Sequence, residues 1–237
     1  MNVLLVGAGG GIGGALLEQL TPVNSTNRIL ATHHRPVSSA HADVEWLTLD
    51  FTSTQSIQTA AREITCRTTE LDLTIIASGM LHASGIQPEK SLSQVELEQL
   101  QQVCSANALG PATLLASLAP VLKRSNAPRI VVLSAQVGSI GDNQLGGWYG
   151  YRMAKAALNM GVRCIAIEAS RWRNHATVVA LHPGTTLTGL SAPFVARRVV
   201  PPQSARSAAQ RIEAFAQRLK PEMTGGFYQC NGETLPW

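Results

Sequence analysis

Charge is scarce in this chain of 237 residues. Asp, Glu, Lys and Arg make up 14% of it, the formal net charge is +4, and no five basic residues stand together. Nucleic acids and anionic membrane surfaces are gripped by basic patches or stripes. No such footprint exists here, so neither partner is expected. Paired cysteines are lacking as well: Cys66, Cys104, Cys164 and Cys230 lie far apart with no Cys-x-x-Cys among them. They read as buried or free thiols in a reducing compartment, not as a disulfide framework or a zinc site. His82, His175 and His182 have no ligand spacing, which leaves no metal site to expect. No apolar run approaches the roughly 20 residues that span a bilayer. The N-terminus enters Val3-Leu4-Leu5-Val6 without a basic region, unlike a secretory signal. A cytoplasmic protein is the expectation. With 45% hydrophobic residues, the chain suits one well-buried domain over 1–237.

What the chain does have is short apolar runs alternating with helical lengths. Residues 3–6 are continuously apolar, as in a strand buried on both faces. They lead into Gly7-Ala8-Gly9-Gly10-Gly11-Ile12-Gly13-Gly14 and then a good helix. Strand, Gly-rich turn and helix in that order make a phosphate cradle. Glycines let the backbone approach a pyrophosphate, and the helix start offers unpaired N–H groups and positive dipole. Gly7, Gly9, Gly11, Ile12 and Gly13 are therefore candidate cofactor contacts; a merely flexible Gly-rich loop seldom sits in this position. A second strand at 28–32 ends in His33-His34-Arg35. An acid there would hold the 2′-hydroxyl of NAD, whereas an Arg accommodates the 2′-phosphate of NADP. Arg35 thus favours NADP over NAD, the alternative being a solvated turn before Pro36.

A third strand at 44–49 ends at Asp50, and Thr52 or Ser53 can cap a helix from Thr54. Asp50 is a candidate to bond adenine or, equally, a helix-start acid. A fourth strand at 73–77 precedes Ser78-Gly79-Met80, a tight turn beneath the cofactor. Ser93 with Glu96 reads as a capping box for a long helix through Asn107. Helix interiors disfavour Asn, so Asn107 beside Gly110-Pro111 marks a kink or a polar role. A fifth strand at 130–133 opens on Ser134-Ala135-Gln136-Val137-Gly138-Ser139, a sixth at 177–181 on His182-Pro183-Gly184-Thr185-Thr186-Leu187-Thr188, and a seventh lies at 227–230. The pattern predicts an α/β fold: a doubly wound Rossmann domain with a parallel seven-stranded sheet flanked by helices. Ligands in such sheets lie at the strands' carboxyl ends, where every motif above falls.

Between the fifth and sixth strands, Tyr151 and Lys155 share one face of a helix continuing to Ala169. A free phenol titrates near ~10. A nearby ammonium lowers that value and lets the phenol exchange a proton with a carbonyl or hydroxyl near neutrality. An ordinary surface pair is the alternative.

Taken in order, Gly7-x-x-x-Gly11-x-Gly13, Asp50, Asn107, Tyr151-x-x-x-Lys155 and Pro183-Gly184-x-x-x-Thr188 resemble the short-chain dehydrogenase/reductase family over nearly the whole chain. Gly138 to Asn143, Gly146-Gly147-Trp148-Tyr149 and Pro236-Trp237 look like its C-factor (C-signal) and sniffer-like carbonyl reductase branch. The resemblance implies that Tyr151 is the general acid and that Lys155 binds the nicotinamide ribose while lowering the tyrosine pKa. It gives Asn107 a water in a proton relay, and gives the segment from Pro183 through Thr186 to Thr188 the nicotinamide amide. Three departures stand out. Ile76-Ala77-Ser78-Gly79 replaces Asn-Asn-Ala-Gly, Val6 replaces a Thr, and Ala135 replaces the catalytic Ser. Ser134 should point away from the site, while Ser139 could swing toward Tyr151. The family's substrate lid corresponds to 189–202, where Leu190, Phe194, Val195 and Val199 suggest a hydrophobic carbonyl compound and Arg197-Arg198 reads as a solvated pair. The Tyr151 helix is apolar on several faces, as in a core or an interface, and the resemblance implies that it pairs subunits in a homodimer or homotetramer. Two functions are expected as alternatives: NADP-dependent reduction of a small apolar carbonyl compound, or nucleotide-binding signalling of the C-factor type with weak catalysis.

Overall fold

The computed structural model describes residues 1–21, 26–35, 43–195 and 200–237. Pro36, Arg197, Arg198 and Val199 lie outside the described residues. Strand β1 (Asn2–Val6) has two apolar faces, and the sheet uses both. Leu4 and Val6 join one core, Val3 and Leu5 the other. The chain then alternates through α1 (Gly11–Leu20), β2 (Arg28–His33), β3 (Val44–Thr48), α2 (Thr54–Arg67) and β4 (Leu73–Ile76). It continues with α3 (Leu97–Cys104), α4 (Gly110–Arg124), β5 (Arg129–Leu133), α5 (Tyr149–Ala169) and β6 (Thr177–His182). Short elements follow: β7 (Thr186–Leu187), α6 (Ala192–Val195), β8 (Gln203–Ser204), α7 (Ala205–Gln217) and β9 (Phe227–Gln229).

Seven strands form one sheet in the order β3-β2-β1-β4-β5-β6-β9, and every pairing in it is parallel. Helices α2, α4 and α5 cover one face, α1 and α7 the other. The strand order reverses direction between β1 and β4, which opens a crevice at their carboxyl ends. The expected doubly wound architecture is therefore present. A two-stranded parallel pair, β7 with β8, was not legible from sequence.

Local chemistry accounts for most boundaries. Ser53 caps α2, its hydroxyl accepting the Ser56 N–H. The Ser93–Glu96 capping box does not form. Extended Val95 (φ −80°, ψ 119°) separates a short 3₁₀ turn at Leu92–Gln94 from α3, and Ser93 pairs with Ser91 instead. Between α3 and α4 the helix widens into a π segment, Ser105–Leu109, with Asn107 inside it. The combined helix Leu97–Arg124 is long and apolar enough, by length and composition, to cross a membrane. Half of its most apolar window is packed inside the protein, as in a core helix.

Candidate active site

A cleft of about 1270 Å³ runs along the carboxyl ends of β1, β2, β4, β5 and β6. Gly7, Gly9, Gly11 and Ile12 form part of its wall. Gly7 takes a left-handed φ of 86°, and its N–H donates to Thr32 Oγ1 at 3.1 Å. Ala8 N–H donates to Thr32 O at 2.8 Å. Thr32, on β2, thus supplies the hydroxyl that Val6 lacks. Gly13 lies behind the loop, where any side chain would strike the Gly7 carbonyl. A Cβ on Gly11 would meet Thr188 Cγ2 at 2.7 Å, so the Gly-rich turn and the segment after β6 close on each other.

Exposed Arg35 lines the rim beside His34. Asp50 also borders the cleft. Its Oδ1 accepts the Thr52 N–H at 2.8 Å and the Thr52 hydroxyl at 2.7 Å, with His34 Nδ1 at 3.9 Å. Burial pushes the Asp50 carboxyl up, but the Thr52 hydrogen bonds and His34 together pull it below its ordinary value. Asp50 accordingly closes a turn and faces the cleft at once. Ser78 and Gly79 line the cleft after β4. The buried Ser78 Oγ has no hydrogen-bond partner among the described residues. Pro183, Gly184, Thr186 and Thr188 line the opposite end. Gln203 Nε2, on β8, donates to Pro183 O at 2.5 Å and to Thr186 Oγ1 at 3.3 Å, pinning this segment to the chain beyond α6.

Helix α5 brings Tyr151 and Lys155 to the same cleft. Lys155 is 3% exposed. Its Nζ donates to Leu133 O at 2.9 Å and lies 5.8 Å from the Tyr151 ring centroid. Burial drives the phenol well above its ordinary range and brings the lysine down to about 8. The expectation that Lys155 acidifies Tyr151 is corrected here, because desolvation governs both groups. At neutral pH the phenol holds its proton.

Three other expected residues do different work. Asn107, 1% exposed, accepts the Met80 N–H at 3.0 Å and donates to Met80 O at 2.7 Å and Val103 O at 2.9 Å. It braces the turn after β4 from inside the π segment and does not border the cleft. Ser134 lines the cleft, yet its hydroxyl donates to buried Asn159 Oδ1 at 2.6 Å. Ser139 does not swing toward Tyr151. Its Oγ donates to Trp237 O at 3.3 Å and accepts the Asp142 N–H at 3.1 Å. Ala135 stands on the cleft wall and offers no hydroxyl there. Beside it is Gln136, missed from the sequence, whose Nε2 donates to Asp142 Oδ2 at 2.8 Å.

Aromatic rings close the end of the cleft beside Tyr151. Trp148 packs 6.4 Å from Tyr151 and 5.3 Å from Phe194, and His82 lies 5.6 Å from Phe194. His82 Nε2 donates to Gly189 O at 3.1 Å, latching the post-β4 loop to the segment before α6. Among the described residues no three His, Cys, Asp or Glu side chains are grouped to hold a metal ion.

A model of the short chain dehydrogenase family matches residues 1–198. The C-signal of Myxococcus xanthus is 33% identical over 147 residues, 62% of this chain and 84% of that protein. The carbonyl reductase Sniffer of D. melanogaster superimposes with a TM-score of 0.85 at 21% identity, over 100% of this chain and 99% of that one. An NADPH-bound carbonyl reductase from chicken fatty liver does so at 0.85 and 24%, over 100% and 98%. At those identities the two superpositions establish a common fold.

Proposed function

Since the chain belongs to the short-chain dehydrogenase family, we propose that it is an NADP-dependent oxidoreductase reducing a small apolar aldehyde or ketone. The observation that carries this reading is the single cleft holding both the Gly-rich turn and the Tyr151–Lys155 pair. Its residues fit a nicotinamide dinucleotide. Gly7 takes the backbone angle that a phosphate turn needs, and the buried Ser78 hydroxyl awaits a polar neighbour. Gly7 to Ile12 would hold the pyrophosphate, Arg35 the 2′-phosphate, Asp50 the adenine, and Lys155 the nicotinamide ribose. Ser78, Gly79, Pro183, Gly184, Thr186 and Thr188 would flank the nicotinamide. When bound, this cofactor supplies a hydride.

The chain's own part is proton delivery and exclusion of water. Tyr151 gives its phenol proton to the carbonyl oxygen, and the Lys155 ammonium offsets the charge left on the phenolate. Trp148, Phe194, Leu190 and Val195 make the substrate end apolar. On this reading the chain acts as one domain over 1–237, and the β7–β8 pair ties the nicotinamide segment to the chain at Gln203–Ser204. The likeness to the C-signal and to sniffer-type folds supports the branch read from the sequence. The reading is tested by following NADPH oxidation against a panel of apolar aldehydes and ketones. Tight NADPH binding without turnover on any of them would favour the second reading, a nucleotide-binding regulatory protein of the C-factor type. Ala135 in place of a serine is the feature that keeps it in view.

Arg35→Ala should abolish cofactor preference. A hydrogen bond to a charged group such as a phosphate contributes about 1.5–3 kcal/mol, so wild-type protein is expected to bind NADPH at least about tenfold tighter than NADH. Calorimetric titration giving equal affinities in the wild type would overturn the assignment.

Assembly follows from α5. Met153, Met160 and Ile167 recur every seven residues and are 52%, 65% and 46% exposed. Leu109, at the end of the π segment, is exposed as well. A second copy of the chain is the expected cover, as homodimer or homotetramer. Sedimentation reading a monomer at micromolar concentration would refute it.

A further inference from the structure

We propose that Glu89 is a positioning residue for the reduction, setting the first turn of α5 and through it the Tyr151 phenol. The catalytic half of this inference rests on the reductase reading above.

A helix start leaves four N–H groups without intrahelical acceptors. Ser, Thr, Asp or Asn usually serves one of them from the N-cap. Helix α5 has none of these. Its N-cap is Trp148, in a left-handed conformation (φ 51°, ψ 43°), with no side-chain cap bond and no acid in the first turn. The acceptors come instead from Glu89, in the loop after β4. Glu89 Oε2 accepts the Gly150 N–H at 3.1 Å, and Glu89 O accepts the Trp148 N–H at 2.5 Å.

The surroundings are built for that carboxylate. Glu89 is 4% exposed. A buried charge is costly unless opposed, and here the positive end of a 21-residue helix opposes it. Gly150 leaves room for the carboxylate, since a Cβ on it would lie 2.9 Å from Glu89 Oε1. The loop is held from its other side, where Lys90 N–H donates to Gln94 Oε1 at 2.7 Å.

What Glu89 holds is the substrate end of the site. Tyr151 is the residue after Gly150, and the Trp148 ring spans the gap between Tyr151 and Phe194. Slack in that turn moves the proton donor and the apolar wall together. Misplacement of a catalytic group by about 1 Å is enough to cost roughly 10²-fold.

Two variants test the role. Glu89→Ala removes the acceptor; Glu89→Gln keeps an oxygen of the same reach without the charge. With Ala, kcat for carbonyl reduction should fall at least about tenfold, KM for NADPH should stay within about twofold, and amide hydrogen exchange should rise at 148–152. With Gln, turnover should return to within about threefold of wild type. Unchanged kcat in Glu89→Ala overturns the proposal. So does a loss that Gln does not rescue, or one matched by equal loss of NADPH affinity, the mark of a general fold defect. A wild type that reduces no carbonyl overturns the reductase reading instead; exchange at 148–152 then decides the clamp alone, standing if Ala raises it and falling if it does not.

Discussion

Tyr151→Phe is expected to slow carbonyl reduction by about 10³-fold, within the range that a positioned general acid contributes, while NADPH binding stays unchanged. The substitution removes the phenolic hydroxyl and little else. Phe keeps the ring that packs on Trp148 at 6.4 Å and lies 5.8 Å from Lys155 Nζ. The pH profile of the wild type follows from the same pair. Burial raises the Tyr151 pKa, so the phenol stays protonated throughout the neutral range. Lys155 is the group that titrates there, at about 8. Below that value its ammonium is present to stabilise the developing phenolate; above it the charge is lost. Reduction should therefore hold level below pH about 8 and decline above it. A Phe variant at full speed would remove Tyr151 from the mechanism, and a rate that climbs through pH 8 would remove the Lys155 ammonium.

Ala135→Ser is expected to act in the opposite direction, raising kcat by about 10²-fold, the size of effect that one oxyanion hydrogen bond carries. The backbone at 135 is extended (φ −147°, ψ 144°) and accepts a serine without adjustment. Both neighbouring serine hydroxyls are committed elsewhere, Ser134 to Asn159 and Ser139 to Trp237 O. A hydroxyl on the cleft wall at 135 would be free to orient a carbonyl oxygen. The result also separates the two functional readings. A reductase working one hydrogen bond short becomes faster, and a regulatory protein gains a turnover it did not have. An unchanged kcat would mean that a donor already serves the oxygen, with the Gln136 amide, on the same wall, the next group to remove.

Much of this was legible in the chain itself. The seven strands fall within about two residues of their expected ends, because a strand buried on both faces declares itself as an unbroken apolar run. The Gly-rich turn and the Tyr151–Lys155 helix were readable for a similar reason: their chemistry depends on short spacing. Long-range partnerships were not readable. Ser139 was misassigned because its partner, Trp237 O, is 98 residues away. Glu89, in Pro88-Glu89-Lys90, carries no local signature at all. The capping box failed because extended Val95 broke the turn between its two members. The direction of the Tyr151 shift was misread because sequence reports a neighbouring lysine but not how deeply both groups are buried.

Strand β2 carries Thr32 one residue before its end, and Arg35 follows two residues past the strand. On the proposed reading, the hydroxyl that steadies the Gly-rich turn and the cation that would choose between cofactors stand only three positions apart. Any attempt to re-engineer this enzyme for NAD by rewriting the end of β2 has to preserve Thr32. Otherwise the turn loosens together with the selectivity, and the affinity for both dinucleotides goes with it.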